Sequence, residues 1–354
     1  MADGNIIDIK KTDLNWPSQI MKIQPIDFQW QMEDPFIFCA HHNDDYPEGN
    51  EDQAIASPLW GRNIGSDFSG KDGWSMYHGE TVPGFPAHPH RGFETVTIVL
   101  KGVVDHHDSK GARGRYGNGD VQWLTTGAGC QHSEMFPLVN RERGNPLELF
   151  QIWLNLPAKD KFALPAFKML WGEDIPVIEI AEGNGKKTSV RIIAGSINGK
   201  EAVTPCPDSW AYKKENHVGI FLLRMEPEAV FTIPAGTETM NRNLYFYEGK
   251  GTISIDNTQV SSSNRIKLAA CREIKLTNGK EESLLLLLEA EPIKEAVVQY
   301  GPIVMNTEQE VRQAFMDFQA TRFGGWKWNR PDPVNDVTSG RFADYIDGRK
   351  EKRE

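Results

Sequence analysis

The sequence has few cysteines and no long hydrophobic run. Its four cysteines, Cys39, Cys130, Cys206 and Cys271, are widely separated and show no paired spacing, which argues against a disulfide framework. The longest aliphatic run, 284–288, is far too short to span a bilayer, and the first 16 residues have no apolar core of signal-peptide length. We therefore expect a cytoplasmic protein without a membrane partner.

A basic face is also missing, because the chain carries a formal net charge of −10. Phosphate binding needs clustered Lys and Arg side chains, so we expect no direct nucleic-acid ligand, whereas the acidic charge is compatible with a protein partner. Apolar residues make up 39% and charged residues 25% of the 354 residues, as in a globular protein with room for two domains.

Helical periodicity is scarce, and short β-type runs dominate the chain. These runs are rich in Val, Ile, Thr, Phe, Tyr and Leu, and Gly, Pro, Asn or Asp lies close to most of them. They occur at 93–102, 120–127, 147–156, 218–225, 243–256 and 283–292. Such short runs between turn residues predict an all-β barrel or sandwich.

A single helix and a polar tail are predicted in the last part of the chain. Val311, Phe315, Phe318 and Phe323 recur at roughly helical spacing within 306–325, and either Asn306 or Thr307 is predicted to cap the helix. The stretch 329–354 is polar and charged, which indicates an extended tail that wraps the body or is partly disordered.

Two stretches of the chain follow the same order of strand, Gly turn and strand. They lie near 93–125 and near 231–255, which predicts a duplicated barrel with its boundary between Pro157 and Pro176. The second copy has no histidines, and Thr239, Asn241 and Asn243 stand where ligands would be. We therefore expect that only the first barrel has a metal site.

The segment PAHPHRGFET, 86–95, carries the first candidate ligands. His88 and His90 stand two apart and Glu94 shares their parity, so on one strand all three side chains face the same side. The segment 117–137 repeats this spacing with His132 and Glu134. Adjacent barrel strands could bring the two pairs together. Three imidazoles and a carboxylate suit Fe, Mn, Ni, Cu or Zn and leave two open positions on an octahedral ion.

Other polar and aromatic groups allow more than one interpretation. Cys130 shares the parity of His132, and it either faces the metal cavity or fills the core. The residues of 105–108 (DHHD) are predicted to form a hairpin turn, and 39–50 a solvated loop or a lid. Four aromatic residues near the motifs either line a pocket or belong to the barrel core: Phe93, Trp123, Phe136 and Trp153.

Five segments resemble the signature segments of pirin, a two-domain member of the cupin superfamily. They are HPHRGFETVTIVLKG, DHHDSKG, NGDVQWLTTGAGCQHSEM, LFQIWLNLP and GPIVMNT. The resemblance runs from about Phe85 to about Phe318 and is thin in the second half apart from GPIVMNT and its helix. It implies a bicupin: a metal-binding jelly-roll (cupin) barrel at 1–165, a second cupin barrel that has lost its site at 166–320, and a C-terminal tail at 321–354.

The resemblance also implies a set of ligands. Pirin-like proteins hold one metal, usually iron, in the N-terminal barrel, and by motif its ligands here are His88, His90, His132 and Glu134. The general cupin pattern instead takes its carboxylate from the first motif, which would be Glu94. In the pirin pattern Glu94 is left to orient a histidine.

Two functions follow from the resemblance. One is a quercetin 2,3-dioxygenase in which Fe(2+), or alternatively Mn, Ni, Cu or Zn, binds a small aromatic substrate such as a flavonol, and O2. Glu134 or Glu94 would then be the catalytic base. The alternative is a metal- and redox-sensing regulatory protein that binds a transcription factor or a metabolic enzyme.

Overall fold

The computed structural model of the protein describes residues 19–27 and 29–354. Almost all of its regular elements are strands, since runs of β-branched and aromatic residues alternate with turn residues. In chain order the strands are β1 (Ile20–Pro25), β2 (Phe36–Tyr46), β3 (Gly84–His90), β4 (Phe93–Lys101), β5 (Val103–Asp108), β6 (Arg113–Gly117), β7 (Val121–Thr125), β8 (Cys130–Met135), β9 (Asn145–Asn155), β10 (Ala166–Leu170), β11 (Val177–Ala181), β12 (Lys187–Ala194), β13 (Ser196–Ile197), β14 (Lys200–Glu201), β15 (Gly219–Met225), β16 (Val230–Ile233), β17 (Asn241–Gly249), β18 (Thr252–Ile255), β19 (Thr258–Ser261), β20 (Asn264–Leu268), β21 (Ile274–Asn278), β22 (Ser283–Ala290), β23 (Val298–Tyr300), β24 (Ile303–Met305), β25 (Arg341–Asp344) and β26 (Lys350–Arg353).

Helical structure is limited to one α-helix in the described residues, α1 (Glu308–Thr321), and short 3-10 turns. The hydroxyl of Thr307 accepts a hydrogen bond from the backbone N–H of Glu310 and so caps α1, which confirms the helix predicted within 306–325. The 3-10 turns lie at Lys71–Gly73, Ala158–Asp160, Trp210–Tyr212, Lys214–Asn216, Arg322–Gly324 and Val337–Ser339.

The first barrel is built from two antiparallel sheets. One sheet has the strand order β10-β7-β4-β9-β2, and the other has the order β26-β25-β6-β5-β8-β3. The chain passes from β3 in one sheet to β4 in the other through Arg91 and Gly92. Gly92 has φ 87°, and a Cβ at this position would lie 2.0 Å from the carbonyl oxygen of Val304, so the crossing requires glycine.

The second barrel also consists of two antiparallel sheets, but different residues fill its interior. Its sheets have the orders β1-β20-β17-β22-β15-β12-β11 and β16-β21-β18-β19. Its interior is a continuous apolar core, because inward positions on nearly every strand are aliphatic or aromatic. This core includes Ile192, Phe221, Leu223, Phe231, Leu244, Phe246, Ile253, Leu276, Leu285 and Leu287. The predicted all-β fold with two cupin-type barrels and a C-terminal helix is confirmed.

The two barrels pack through one sheet of each. The five-stranded sheet of the first barrel lies on the seven-stranded sheet of the second. Central strands such as β4, β15 and β22 are buried on both faces, so most of their residues are apolar. The shared core contains Val96, Ile98, Trp123, Phe150 and Ile152 from one side and Ile220, Leu222, Tyr245, Leu286 and Leu288 from the other.

The termini of the described chain cross between the barrels. β1 pairs with β20 of the second barrel, with Ile23 opposite Ile266. β25 pairs with β6 of the first barrel, with Phe342 opposite Arg115. β10 also stays with the first barrel, beside β7. Sheet edges of both barrels are therefore completed by strands from distant parts of the chain, and the division at 165/166 and 320/321 stays a prediction.

Two segments differ from their predicted conformation. The residues of 105–108, expected to form a turn, lie in β5 between β6 and β8, and the turn follows at 109–111. The stretch expected to be a solvated loop, 39–50, begins inside β2, which pairs along its length with β9. In both, clustered His and Asp residues indicated turns, but their side chains have partners inside the barrel. None of the helices in the described part of the chain has the length and apolar character that a membrane crossing requires.

Candidate metal centre

Three histidines meet inside the first barrel. His88 and His90 lie on β3, and His132 lies on the neighbouring β8, directly opposite His88 in the register. Each histidine offers a ring nitrogen, and these three atoms lie within 4.8 Å of one another. The two Nε2 atoms of His90 and His132 are 3.0 Å apart. The alternation of a strand explains why His88 and His90 reach the same point.

The chemistry of these side chains fits a metal ion. His88 Nδ1 lies 2.8 Å from the carbonyl oxygen of Pro86, which can only accept, so the proton is on Nδ1 and the lone pair on Nε2. Burial lowers the pKa of His88 to about 4 and holds the pKa values of His90 and His132 well below the ordinary value. All three rings are therefore neutral near pH 7, the form that binds metals. Nitrogens about 3 Å apart also match adjacent ligands with bonds of about 2.1 Å.

Glu134 lies next to this cluster on β8. Its Oε2 is 3.6 Å from His132 Nε2 and accepts a hydrogen bond of 2.6 Å from the amide of Gln151. Its Oε1 accepts a hydrogen bond of 2.7 Å from the hydroxyl of Thr97 and a longer one of 3.4 Å from Tyr116. Burial raises the pKa of Glu134, while these donors oppose the rise. The carboxylate is held at the side of the cluster with one edge towards His132.

Glu94 lies elsewhere. Its Oε1 accepts hydrogen bonds from Trp123 and Thr125, at 2.9 and 2.7 Å, and its Oε2 accepts from Ser209 and the backbone of Trp210. None of these four hydrogen bonds comes from a histidine. Glu94 was expected on the same face as His88 and His90, but the strand alternation is interrupted by the bend at Gly92. After this bend Glu94 lies on β4 and faces the second barrel. The structure does not place Glu94 where it could orient a metal-binding histidine.

The histidine cluster opens into a cavity of about 920 Å³. Its lining combines aromatic side chains with a small number of polar groups, as is usual for sites that bind small molecules. The main side chains are Trp30, Phe38, His42, Tyr77, Phe85, His88, His90, Glu134, Gln151, Trp153 and Tyr247. Trp153 packs edge-on against His90 at 5.4 Å, so an aromatic wall begins directly beside the candidate ligands.

Comparison with known proteins identifies the family. The Pirin family model matches residues 19–154, and the model for the Pirin C-terminal cupin domain matches residues 220–324. A pirin-like protein of Solanum lycopersicum is 39% identical over 68% of this chain and 77% of its own length. The chain belongs to the pirin family.

Two further relatives of this pirin-family chain carry functional names. A Pseudomonas aeruginosa protein, provisionally named a quercetin 2,3-dioxygenase, is 36% identical over 68% of this chain and 79% of its own length. The crystal structure of a quercetin 2,3-dioxygenase from Acinetobacter baumannii has a TM-score of 0.66 and 23% identity, and the match covers 87% of this chain and 98% of that one. At this identity the structural likeness shows the fold alone.

The remaining sequence candidates do not join the histidine cluster in this pirin-family protein. Cys130 is a buried free thiol whose pKa is raised by burial, and it is not one of the clustered donors. His106 stacks on Phe167 and lies 3.3 Å from Asp108 within β5. Of the four aromatic residues near the motifs, for which a pocket wall and the barrel core were both open, Trp153 lines the cavity, whereas Trp123 belongs to the core between the barrels.

Several residues around the site were not identified from the sequence. Thr97, Tyr116 and Gln151 hold Glu134 from three other strands, and no local pattern marks them. His42 and Tyr77 line the cavity, although both lie outside the histidine motifs, on their N-terminal side. For His42, alternation along β2 was an available signal, because Phe38, Ala40 and His42 share one face and all line the cavity.

Proposed function

We propose that this pirin-family protein is a metal-dependent dioxygenase that opens the ring of a flavonol-type substrate with O2. We assign the metal as iron and its ligands as His88, His90, His132 and Glu134. One observation carries the proposal: three neutral imidazoles and a carboxylate lie together at the wall of an aromatic cavity. The provisional name of the P. aeruginosa relative supports the substrate class.

The cavity suits a planar aromatic substrate. A volume of about 920 Å³ is at the upper end of the range that drug-sized ligands occupy. Phe38, Phe85 and Trp153 present aromatic surface to it, and Phe38 and Trp153 are in contact at 4.6 Å. Flat rings are bound well between such walls, because stacking and edge-to-face contacts add to the burial of apolar area.

The chain's own residues prepare this chemistry in three ways. The hydrogen bond to Pro86 fixes the ring of His88 with Nε2 free, so this ligand needs no rearrangement. Thr97 and Gln151 orient Glu134, which can accept a proton from a substrate hydroxyl. A bound metal would supply a Lewis acid that acidifies this hydroxyl and positions for substrate and O2. As a ligand, Glu134 would be a weaker base, because a neighbouring cation lowers its pKa.

Elemental analysis and a flavonol assay test the proposal together. Metal content is measured on the purified protein, and consumption of quercetin and O2 is followed under air. The wild-type chain should contain about one iron and turn over quercetin, and His132→Ala should lose both. His78→Ala is the matched control, since His78 also lines the cavity but its Nδ1 bonds to the carbonyl of Gly65. It should retain metal and turnover.

The outcomes separate the parts of the proposal. Equal metal content in wild type and His132→Ala would show that the metal is not bound at the assigned ligands. Iron-loaded protein without turnover of any flavonol would overturn the dioxygenase and leave the metal site standing. Stoichiometric Mn, Ni, Cu or Zn with full turnover would correct the metal alone.

A further inference from the structure

A second polar group faces the same cavity from its other side. β2 and β3 are the edge strands of the two sheets of the first barrel, and the cavity opens between them. His42 and Asp44, on β2, are joined through the hydroxyl of Tyr77. His42 Nδ1 lies 2.8 Å from this hydroxyl, and the hydroxyl lies 2.7 Å from Asp44 Oδ2. We call these residues the His42–Tyr77–Asp44 chain.

The hydrogen bonds determine which nitrogen of His42 carries the proton. The Tyr77 hydroxyl has a single hydrogen, which it donates to the Asp44 carboxylate. Its oxygen can therefore only accept from His42, so the proton of the imidazole is on Nδ1. Burial lowers the pKa of His42 to about 4, and the ring is neutral near pH 7. Nε2 then presents a lone pair, that is, a hydrogen-bond acceptor.

This acceptor has no partner within the described part of the chain. The only hydrogen bond of the His42 ring is the one from Nδ1, and Nε2 is not among the polar atoms sealed from solvent. Since His42 lines the cavity, Nε2 is free to accept from a bound molecule. A ligand that fills the cavity displaces the water bonded to this acceptor. Only a ligand with a hydrogen-bond donor in the right place makes a new bond to the acceptor, so the acceptor favours such ligands over those without a donor.

The His42–Tyr77–Asp44 chain is held in place by hydrogen bonds to its surroundings. Tyr77 has φ 56°, a left-handed conformation that disfavours a bulky side chain, and two backbone hydrogen bonds to Asp67 of 2.7 and 2.8 Å keep it there. Asp67 is itself paired with Arg62 at 2.9 Å. Asp44 Oδ1 accepts from the backbone N–H of Ser75. A strained residue over-determined by its surroundings at a cavity wall points to a functional constraint.

The acceptor and the histidine cluster are separated by one aromatic ring. Phe85 lies 5.9 Å from the ring of His42 and 6.3 Å from that of His88, and it stacks on Tyr77 at 5.2 Å. A molecule that lies along Phe85 meets the candidate metal ligands at one end and His42 Nε2 at the other. A single small ring bound at the histidines does not extend past Phe85.

We propose that His42 selects substrates that carry a second hydroxyl, remote from the group bound at the metal, by accepting a hydrogen bond from it at Nε2. The favoured substrate class is thus a multi-ring, polyhydroxylated aromatic. Tyr77 and Asp44 are positioning residues that keep Nε2 unprotonated. This inference rests on the proposed function for the identity of the other end of the substrate.

Binding under anaerobic conditions tests the role of His42 without turnover. Isothermal titration calorimetry on the metal-loaded protein compares quercetin with 3-hydroxyflavone, which has the same hydroxyl and carbonyl pair but no other hydroxyl. In His42→Phe, the preference for quercetin should fall about five- to tenfold, the worth of one hydrogen bond. The Kd of 3-hydroxyflavone should change by less than about twofold, since Phe preserves the ring.

Two further variants separate recognition from folding. His41→Phe is the matched control: His41 Nε2 is already bonded to Glu148, and its ring stacks on Phe150. It should leave the quercetin preference unchanged. Tyr77→Phe removes the acceptor of the Nδ1 proton but keeps the ring, and it should reduce the preference partly. Thermal melting confirms that each variant is folded before it is titrated.

Each result decides between the two proposals. A preference equal in wild type and His42→Phe, with quercetin turned over, overturns the role of His42 and leaves the dioxygenase standing. A preference lost in His42→Phe, in a protein that never turns over a flavonol, supports the binding role and overturns the dioxygenase. If neither compound binds the metal-loaded wild-type protein, both proposals are wrong.

Discussion

The two barrels share a fold but differ in what they bury. The first barrel encloses three neutral imidazoles and a carboxylate beside an open cavity, and the second encloses aliphatic and aromatic side chains. The second barrel does have a polar pair, Arg242 and Glu289, whose nitrogen and oxygen are 2.6 Å apart on neighbouring strands. The guanidinium neutralises the carboxylate and its positive charge repels a cation, so the pair does not favour metal binding.

Three residues of the second barrel, Thr239, Asn241 and Asn243, stand where ligands were expected in a site that has been lost. Thr239 donates to Glu291, Asn241 donates to the carbonyl of Asp34, and Asn243 donates to Glu33. Each has a partner of its own, and the three do not meet at a common point as the histidines do. The second copy thus lacks histidines, and the residues at the corresponding positions form hydrogen bonds with separate partners.

The largest expected effect tests the first barrel against the second. His90→Ala should lower metal affinity at least 100-fold, since it removes one of three close nitrogens, as measured by competition with a chelator. Thr239→Ala, a hydroxyl deletion at an exposed position of the second barrel, should leave metal content unchanged. Equal losses in both variants would contradict the assignment of the metal to the first barrel.

Breaking the ion pair should destabilise the second barrel without affecting the first. Glu289→Ala leaves the buried guanidinium of Arg242 without its carboxylate, and we expect a loss of about 3 kcal/mol in the free energy of unfolding. Chemical denaturation measures this loss. Replacement of both residues by Met should cost less, because no charge stays unpaired, and metal content should match wild type in either variant.

Glu94, between the barrels, should make stability depend on pH. Burial raises the pKa of Glu94 to about 7, against the hydrogen bonds from Trp123 and Thr125. The folded state thus binds this proton more tightly than the unfolded state. Its contribution is complete below pH about 4.5 and is lost as the pH rises through about 7. The free energy of unfolding of wild type should fall by roughly 3 kcal/mol more than that of Glu94→Gln across this window. Parallel curves would show that Glu94 does not titrate there.

The smallest effect concerns α1, which packs against the first barrel through the ion pair of Arg91 and Asp317 at 2.6 Å. Thr307→Ala removes the cap of α1 and should lower stability by about 1 kcal/mol, and Thr307→Ser should restore most of this. Denaturation curves measure both variants. Metal content should not change, because the histidines lie on strands. A loss of metal in Thr307→Ala would mean that α1 supports the site.

The sequence predicted what depends on local pattern. Alternation along one strand brought His88 and His90 to the same face, and the cap and spacing of α1 were readable. Glu94 was misplaced because alternation ends where the chain changes sheet at Gly92. This bend leaves no room for a Cβ next to the carbonyl oxygen of Val304, over two hundred residues away. The partners of Glu134 come from three other strands, which no single segment reveals.

The crossing of the termini has a practical consequence for anyone who divides this molecule. A fragment that ends near residue 165 would lack β25, which extends the sheet next to Arg115, and a fragment that starts there would lack β1, the edge beside β20. Both would expose unpaired strand edges of the kind that cause aggregation. Each barrel takes an edge strand from the opposite end of the chain, so a cut in the middle of the polypeptide removes an edge strand from both barrels.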